Sequence, residues 1–112
     1  MEIIFGNEKL RKCCTSINKA IREWGDVRGR LVMRRLDQIR WAENLKDLMT
    51  LPQANCHPLK GNREGQFAVN VEHPFRLIFE PANEPLPGLN DGGLDLTRIT
   101  FVRILEVKDY HG

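Results

Sequence analysis

Several features are scarce in this chain, and each scarcity excludes something. Cysteine occurs three times, twice as the adjacent pair Cys13-Cys14 and once as Cys56. That pattern builds no disulfide framework and points to a reduced, cytoplasmic protein. No apolar run approaches the roughly 20 residues of a membrane span, so no membrane partner is expected. The opening Met1-Glu2-Ile3-Ile4-Phe5 has neither a basic n-region nor a long apolar stretch, which argues against a signal peptide and for a first strand. There is no C-x-x-C, no H-E-x-x-H, no P-loop and no dinucleotide fingerprint, and Cys56-His57 alone supplies too few ligands for a metal. No metal or cofactor is therefore expected. Internal repeats and linkers are also missing, so residues 1–112 read as one domain.

What is present is ordinary for a globular chain: 41% hydrophobic and 29% charged residues, with a net charge of +2. The charge is unevenly spread. Residues 1–40 hold ten Lys/Arg against five Asp/Glu, and residues 41–112 hold seven against ten. A basic first half suits either a solvated helix face or an acidic partner.

Asn7 can cap a helix, and Leu10, Cys13, Cys14, Ile17, Ile21 and Trp24 follow at helical spacing until Gly25. The cysteines on this stripe read as small core residues. A second helix is predicted from Asp26 to about Asn44, burying Val32, Leu36 and Ile39, with Arg28, Arg34, Arg35 and Arg40 facing outward or sideways. A further turn or two ends at Pro52. Beyond it the period becomes two: Phe67, Val69 and Val71 form one strand, His73-Pro74 a turn, and Phe75, Leu77 and Phe79 a second strand. Residues 81–97, rich in Pro, Gly, Asn and Asp, read as a loop, and Ile99 to Val107 as a central strand. The expected fold class is α+β: a short N-terminal strand, a two-helix hairpin, and an antiparallel sheet of three to four C-terminal strands.

Chemistry concentrates in Cys56-His57-Pro58-Leu59-Lys60-Gly61-Asn62-Arg63-Glu64-Gly65. Lys60 and Arg63 flank a glycine-containing turn, where backbone can approach a phosphate closely and a guanidinium can fork its oxygens. Taken alone, the turn reads more readily as solvated than as a phosphate site. Strand alternation puts Arg76 on the sheet face opposite Phe75, Leu77 and Phe79. Tyr110 and His111 end the chain just after the central strand. Together these supply what RNA cleavage without a metal requires: histidines to exchange protons, cations for charge on phosphorus, and an aromatic to stack on a base.

Three separated blocks, His57 to Gly65, Phe75-Arg76-Leu77-Ile78-Phe79 and Asp109-Tyr110-His111, together resemble the HigB branch of the RelE/ParE toxin superfamily. The resemblance implies a RelE-like fold and a toxin of a type II toxin–antitoxin module that cleaves mRNA on the ribosome. His57, Arg76, Tyr110 and His111 match the positions implicated in cleavage, and Lys60 and Arg63 match basic positions associated with RNA. It also implies a helix-turn-helix, HigA-like antitoxin as partner, with DNA reached only through that antitoxin. The basic positions Arg11, Lys12, Arg22, Arg34 and Arg35 would dock on ribosomal RNA or an acidic antitoxin segment. Glu72, Glu80 and the acidic residues of the 81–97 loop (Glu84, Asp91, Asp95) depart from the usual pattern. They motivate the alternative of a non-enzymatic binding protein, either a ParE-like inhibitor or an attenuated toxin homologue. The long-loop form of the family is sometimes labelled a killer-suppression protein.

Overall fold

The computed structural model describes residues 1–109. Strand β1 (Glu2–Phe5) leads into helices α1 (Glu8–Cys13), α2 (Ile17–Trp24), α3 (Asp26–Trp41) and α4 (Leu45–Leu48). Strands β2 (His57–Pro58), β3 (Phe67–Asn70), β4 (Phe75–Pro81) and β5 (Phe101–Asp109) follow, with short 3-10 turns at Gly61–Arg63 and Leu96–Arg98. The fold is α+β. None of the helices is long and apolar enough to cross a membrane.

The sheet differs from the expected one. It has five strands in the order β1-β5-β4-β3-β2, and it is mixed rather than antiparallel. The N-terminal strand pairs parallel to β5, with Ile3 opposite Val102 and Phe5 opposite Ile104. The reason is visible in β5: its apolar run is flanked on both sides, so it needs a second neighbour besides β4, and β1 supplies one. The two-residue β2 forms the far edge.

The helical half is also more divided than its apolar spacing suggests. A single helix from Asn7 to Trp24 is not formed. Thr15 turns its hydroxyl back to the Lys12 carbonyl, and Ser16 caps a new helix by accepting from the Lys19 N–H at 3.1 Å. Asn7 and Asn44 cap α1 and α4 in the same way, each at 2.8 Å. The second helix stops at Trp41 rather than near Asn44, because Asn44 starts α4. After the break, Ile17 is exposed and Ala20 is the buried contact. Ala20 meets Gly29 of α3, where an added Cβ would lie 2.7 Å from the Ala20 carbonyl oxygen and the Ile21 nitrogen. The α2–α3 hairpin therefore depends on backbone approaching backbone.

One face of the sheet meets the helices. Phe67, Val69, Leu77, Phe79, Val102 and Ile104 pack there with Val32, Leu36, Ile39, Leu45 and Leu48. The Phe67 and Phe79 rings stack at 5.9 Å. The alternate residues Ala68 and Ile78 face the other way and join Leu59 and Leu105 in a small apolar cluster. A bulge sets that face: Ile78 lies opposite Glu106 and Phe79 opposite Ile104, which leaves Leu105 as the extra residue.

Replacing Gly29 with alanine is expected to cost about 1–3 kcal/mol, as overpacking of a tight interface does. Urea denaturation should show a lower midpoint with an unchanged slope; an unchanged midpoint would mean that the helices separate without cost.

Candidate functional site

The face turned away from the helices carries the candidate site. Register places Asn70, Arg76 and Lys108 opposite one another across β3, β4 and β5. The next row on the same face is His57, Ala68, Ile78 and Glu106. His57 and Arg76 are two strands apart and one two-residue step out of line. At about 4.8 Å between strands and 3.4 Å per residue, their Cα atoms lie roughly 12 Å apart. Side chains of their lengths can close on one phosphodiester from that spacing.

Local structure fixes His57. Asn55 adopts the left-handed region (φ 46°), which asparagine tolerates better than most residues, and this turns the chain into β2. The imidazole Nδ1 lies 2.8 Å from the Asn55 carbonyl oxygen. A carbonyl only accepts, so Nδ1 carries the hydrogen, and in the neutral tautomer the lone pair then lies on Nε2. The neutral ring is thereby oriented as a base through Nε2.

Arg76 is half-buried and donates through Nη1 to the Asn70 side-chain oxygen. Its Nε is buried without a partner among the described residues. Asn70 is held in turn: its N–H donates to the Ala54 carbonyl at 2.8 Å, and its own carbonyl accepts from Arg35 Nε at 2.7 Å. Arg35 is not an outward cation as its position in the basic helix suggests. It is only 7% exposed, with Nη2 on the Gln53 carbonyl (3.0 Å) and Nη1 on Gln38 Oε1 (3.1 Å). Burial, and then the neighbouring Arg34 charge, push its pKa down from the usual arginine value. Arg11, Lys12, Arg22 and Arg34 are exposed.

Lys60 is exposed at the start of the Gly61–Arg63 turn. Arg63 is engaged, bonding Gln66 Oε1 at 2.8 Å and Glu106 at 2.9 Å. Arg103 pairs with Glu80 at 2.7 Å on the same face. Tyr110 and His111 lie outside the described residues.

Two departures in the sequence take a different meaning in place. Glu72 pairs with Arg28 at 3.1 Å, and the Arg28 guanidinium sits 3.5 Å above the Phe75 ring, so its charge is compensated. The acidic loop starts later than expected, since β4 runs to Pro81, and it lies away from Arg76. Asn83 anchors it to Thr100 and Phe101 at the opposite end of β4. Asp91 and Asp95 accept from the nearby Gly93 and Thr97 amides. The loop's inner residues Leu86, Gly92, Gly93 and Leu94 border Glu64, Gln66 and Glu80 instead.

Sequence reading missed Asn70, Lys108, Glu106 and the role of Arg35. The first three were accessible from strand parity once the hairpin register is drawn about His73-Pro74. Arg35 carried no such signal.

A cleft of about 210 Å³ lies between the α1–α2 pair and β5, lined by Cys13, Glu23, Trp24 and Leu105 among others, without His57 or Arg76. No three His, Cys, Asp or Glu side chains gather as a metal-ligand set among the described residues. Compared with known proteins, the chain matches no family model and no curated protein.

The cysteines are poor nucleophiles. Burial pushes the Cys14 thiol up to about 11 and Cys56, beside His57, up to about 12. In the unfolded chain both ionise near 9.0. Above that pH the unfolded state has released protons that the folded state still holds, so stability falls as pH rises from 9 towards 12. Below 9 neither state ionises and the effect vanishes. Urea midpoints should therefore decline between pH 9 and 11, with a shallower decline in Cys56→Ala; an equal slope in both proteins would refute the assignment to Cys56.

Proposed function

We propose that this chain is a toxin of a type II toxin–antitoxin module, of the RelE/HigB kind, that cleaves mRNA on the ribosome without a metal. The observation that carries this reading is the placement of His57, with Nδ1 engaged and Nε2 available, on the same open sheet face as Arg76. The order of strand, helices and antiparallel hairpin, followed by a strand leading to Asp109-Tyr110-His111, agrees with the RelE-like architecture that the sequence blocks suggest.

In this reading His57 Nε2 takes the proton of a ribose 2′-hydroxyl. The new O2′–P bond forms as the P–O5′ bond breaks, leaving a 2′,3′-cyclic phosphate. His111 returns a proton to the departing 5′-oxygen, and Tyr110 stacks on a base. Arg76, joined by Lys108, offsets the charge that gathers on the phosphate oxygens. Lys60 and Arg63 contact neighbouring phosphates, Arg63 by exchanging Glu106 for RNA. The partners are the ribosome with its mRNA and a helix-turn-helix, HigA-like antitoxin, through which alone the chain reaches DNA. The compartment is the cytoplasm.

A second reading has a specific observation behind it. Two of the guanidinium groups on this face, Arg63 and Arg103, are engaged by Glu106 and Glu80. That lowers the positive field available to RNA and favours an attenuated homologue that binds a partner without cleaving.

Induced expression in bacterial cells tests both. The toxin reading expects growth arrest with cuts inside translated messages, relieved by co-expressed antitoxin. His57→Ala should slow cleavage on isolated ribosomes by at least about 100-fold, the usual scale for a lost acid–base group. Arg76→Ala should lose a similar factor. Intact messages and normal growth, despite abundant folded protein, would favour the attenuated reading.

A further inference from the structure

Arg35 is a cation under the sheet with no carboxylate beside it among the described residues. Its guanidinium is satisfied by two main-chain carbonyls and one amide side chain. Burying such a charge is costly, and an apolar side chain of similar length would fill the same space at lower cost. The two carbonyls are what distinguish the position. Asn70 carries the side-chain oxygen that holds Arg76, and Gln53 begins the Gln53–Asn55 turn whose last carbonyl holds His57. The same turn and strand are tied a second time by the Asn70 N–H on the Ala54 carbonyl.

We propose that Arg35 is a positioning residue for the candidate site: one planar fork fixes the two backbone segments that aim His57 and Arg76 at a shared phosphate. The proposal rests on the RNA-cleaving reading for its purpose, but its geometry stands apart from it. Lysine cannot reproduce the effect, because a single ammonium lacks the rigid fork that reaches both carbonyls. Arg35 touches no substrate. It acts through Asn70 on Arg76, and through the turn on His57. Its charge, directly beneath the strand end, also adds to the positive potential that a phosphate meets above it.

The test compares Arg35→Lys and Arg35→Gln with Leu36→Ala, a neighbouring core truncation that destabilises the protein without touching either carbonyl. Two readouts are taken at a temperature where every variant is folded. One is the NMR signature of the Arg76 Nε–H and the His57 ring nitrogens. The other is the affinity for a fluorescent 2′-O-methyl RNA hexamer, which binds but cannot be cut. Both Arg35 variants are expected to shift or broaden the two signatures and to weaken binding about tenfold. Leu36→Ala should lower the melting temperature and leave signatures and affinity in place. Wild-type signatures in both Arg35 variants would overturn the proposal, as would equal disturbance by Leu36→Ala. Arg76→Ala is the control for the underlying reading. If it binds the hexamer as tightly as wild type, the RNA interface is misplaced, while the Arg76 and His57 signatures still decide whether Arg35 positions them.

Discussion

The buried Arg35 guanidinium joins, by directed bonds, three parts of the chain that the core also brings together: α3, the turn after α4 and the end of β3. Apolar packing holds α3 against the sheet through Val32, Leu36 and Ile39, but such contacts are non-directional and leave several registers open. The fork on Gln53 and Asn70 is directional. It fixes where the segment after α4 meets the end of β3, and so fixes where β2 begins. A buried cation satisfied by neutral acceptors contributes little net stability, and truncating it takes the guanidinium donor from two part-buried carbonyls. Its effect is to select one arrangement, and the sheet face above it inherits that arrangement.

The sheet solves a second problem. Strand β5 is the longest, and β1 on one side and β4 on the other satisfy its backbone. The helices cover one face, and strand alternation places Ala68 and Ile78 among the polar residues of the other. Leu59, Ala68, Ile78 and Leu105 form an apolar floor on it, with charged groups around that floor. Leu59, Ala68 and Ile78 are themselves buried, so this floor supports the charged groups above it from beneath. The bulge at Leu105 adds to this floor and brings Glu106 into line with Ile78, within reach of Arg63.

Much of this was legible in the sequence, and the failures share a cause. Strand parity located Arg76 on the outer face and separated it from Phe75, Leu77 and Phe79, because period-two alternation is local. The caps at Asn7 and the glycine stop at Gly25 were likewise local signals. Helical spacing failed between Cys13 and Ile17, where a Thr-Ser pair offers side-chain oxygens that compete with the backbone and break the run. The parallel β1–β5 pairing and the burial of Arg35 depend on partners about 100 and 35 residues away in sequence, a separation that no window of residues reports. Gln53 and Asn70 gave no hint because their carbonyls, not their side chains, receive the cation. Tyr110 and His111 belong to the sequence reading alone, since they fall outside the described residues.

The ion pairs on the open face set the terms for any polyanion that binds there. The Arg103–Glu80 pair is about one-third exposed on both sides and is worth about 0–1 kcal/mol, whereas Arg63 is only 18% exposed, so its pair with Glu106 is better shielded from water. A phosphate carries a full charge, and its oxygens match a guanidinium fork as well as a carboxylate does. On the proposed reading, exchange of Glu106 for a phosphate on Arg63 would replace one charge-assisted fork by another, and the displaced carboxylate would regain solvent. Arg76 differs, because its partner among the described residues, Asn70, is neutral. An RNA strand would thus meet Arg76 at full strength and Arg63 only after exchange. On the proposed reading the face would discriminate by charge density: a phosphodiester chain presents several phosphates that could drive the exchange together, while a lone carboxylate ligand would gain nothing over Glu106. On the proposed RNA-cleaving reading, the two acidic residues would act as a threshold against weak anions, and Arg76 would be the position at which a long polyanion begins to bind.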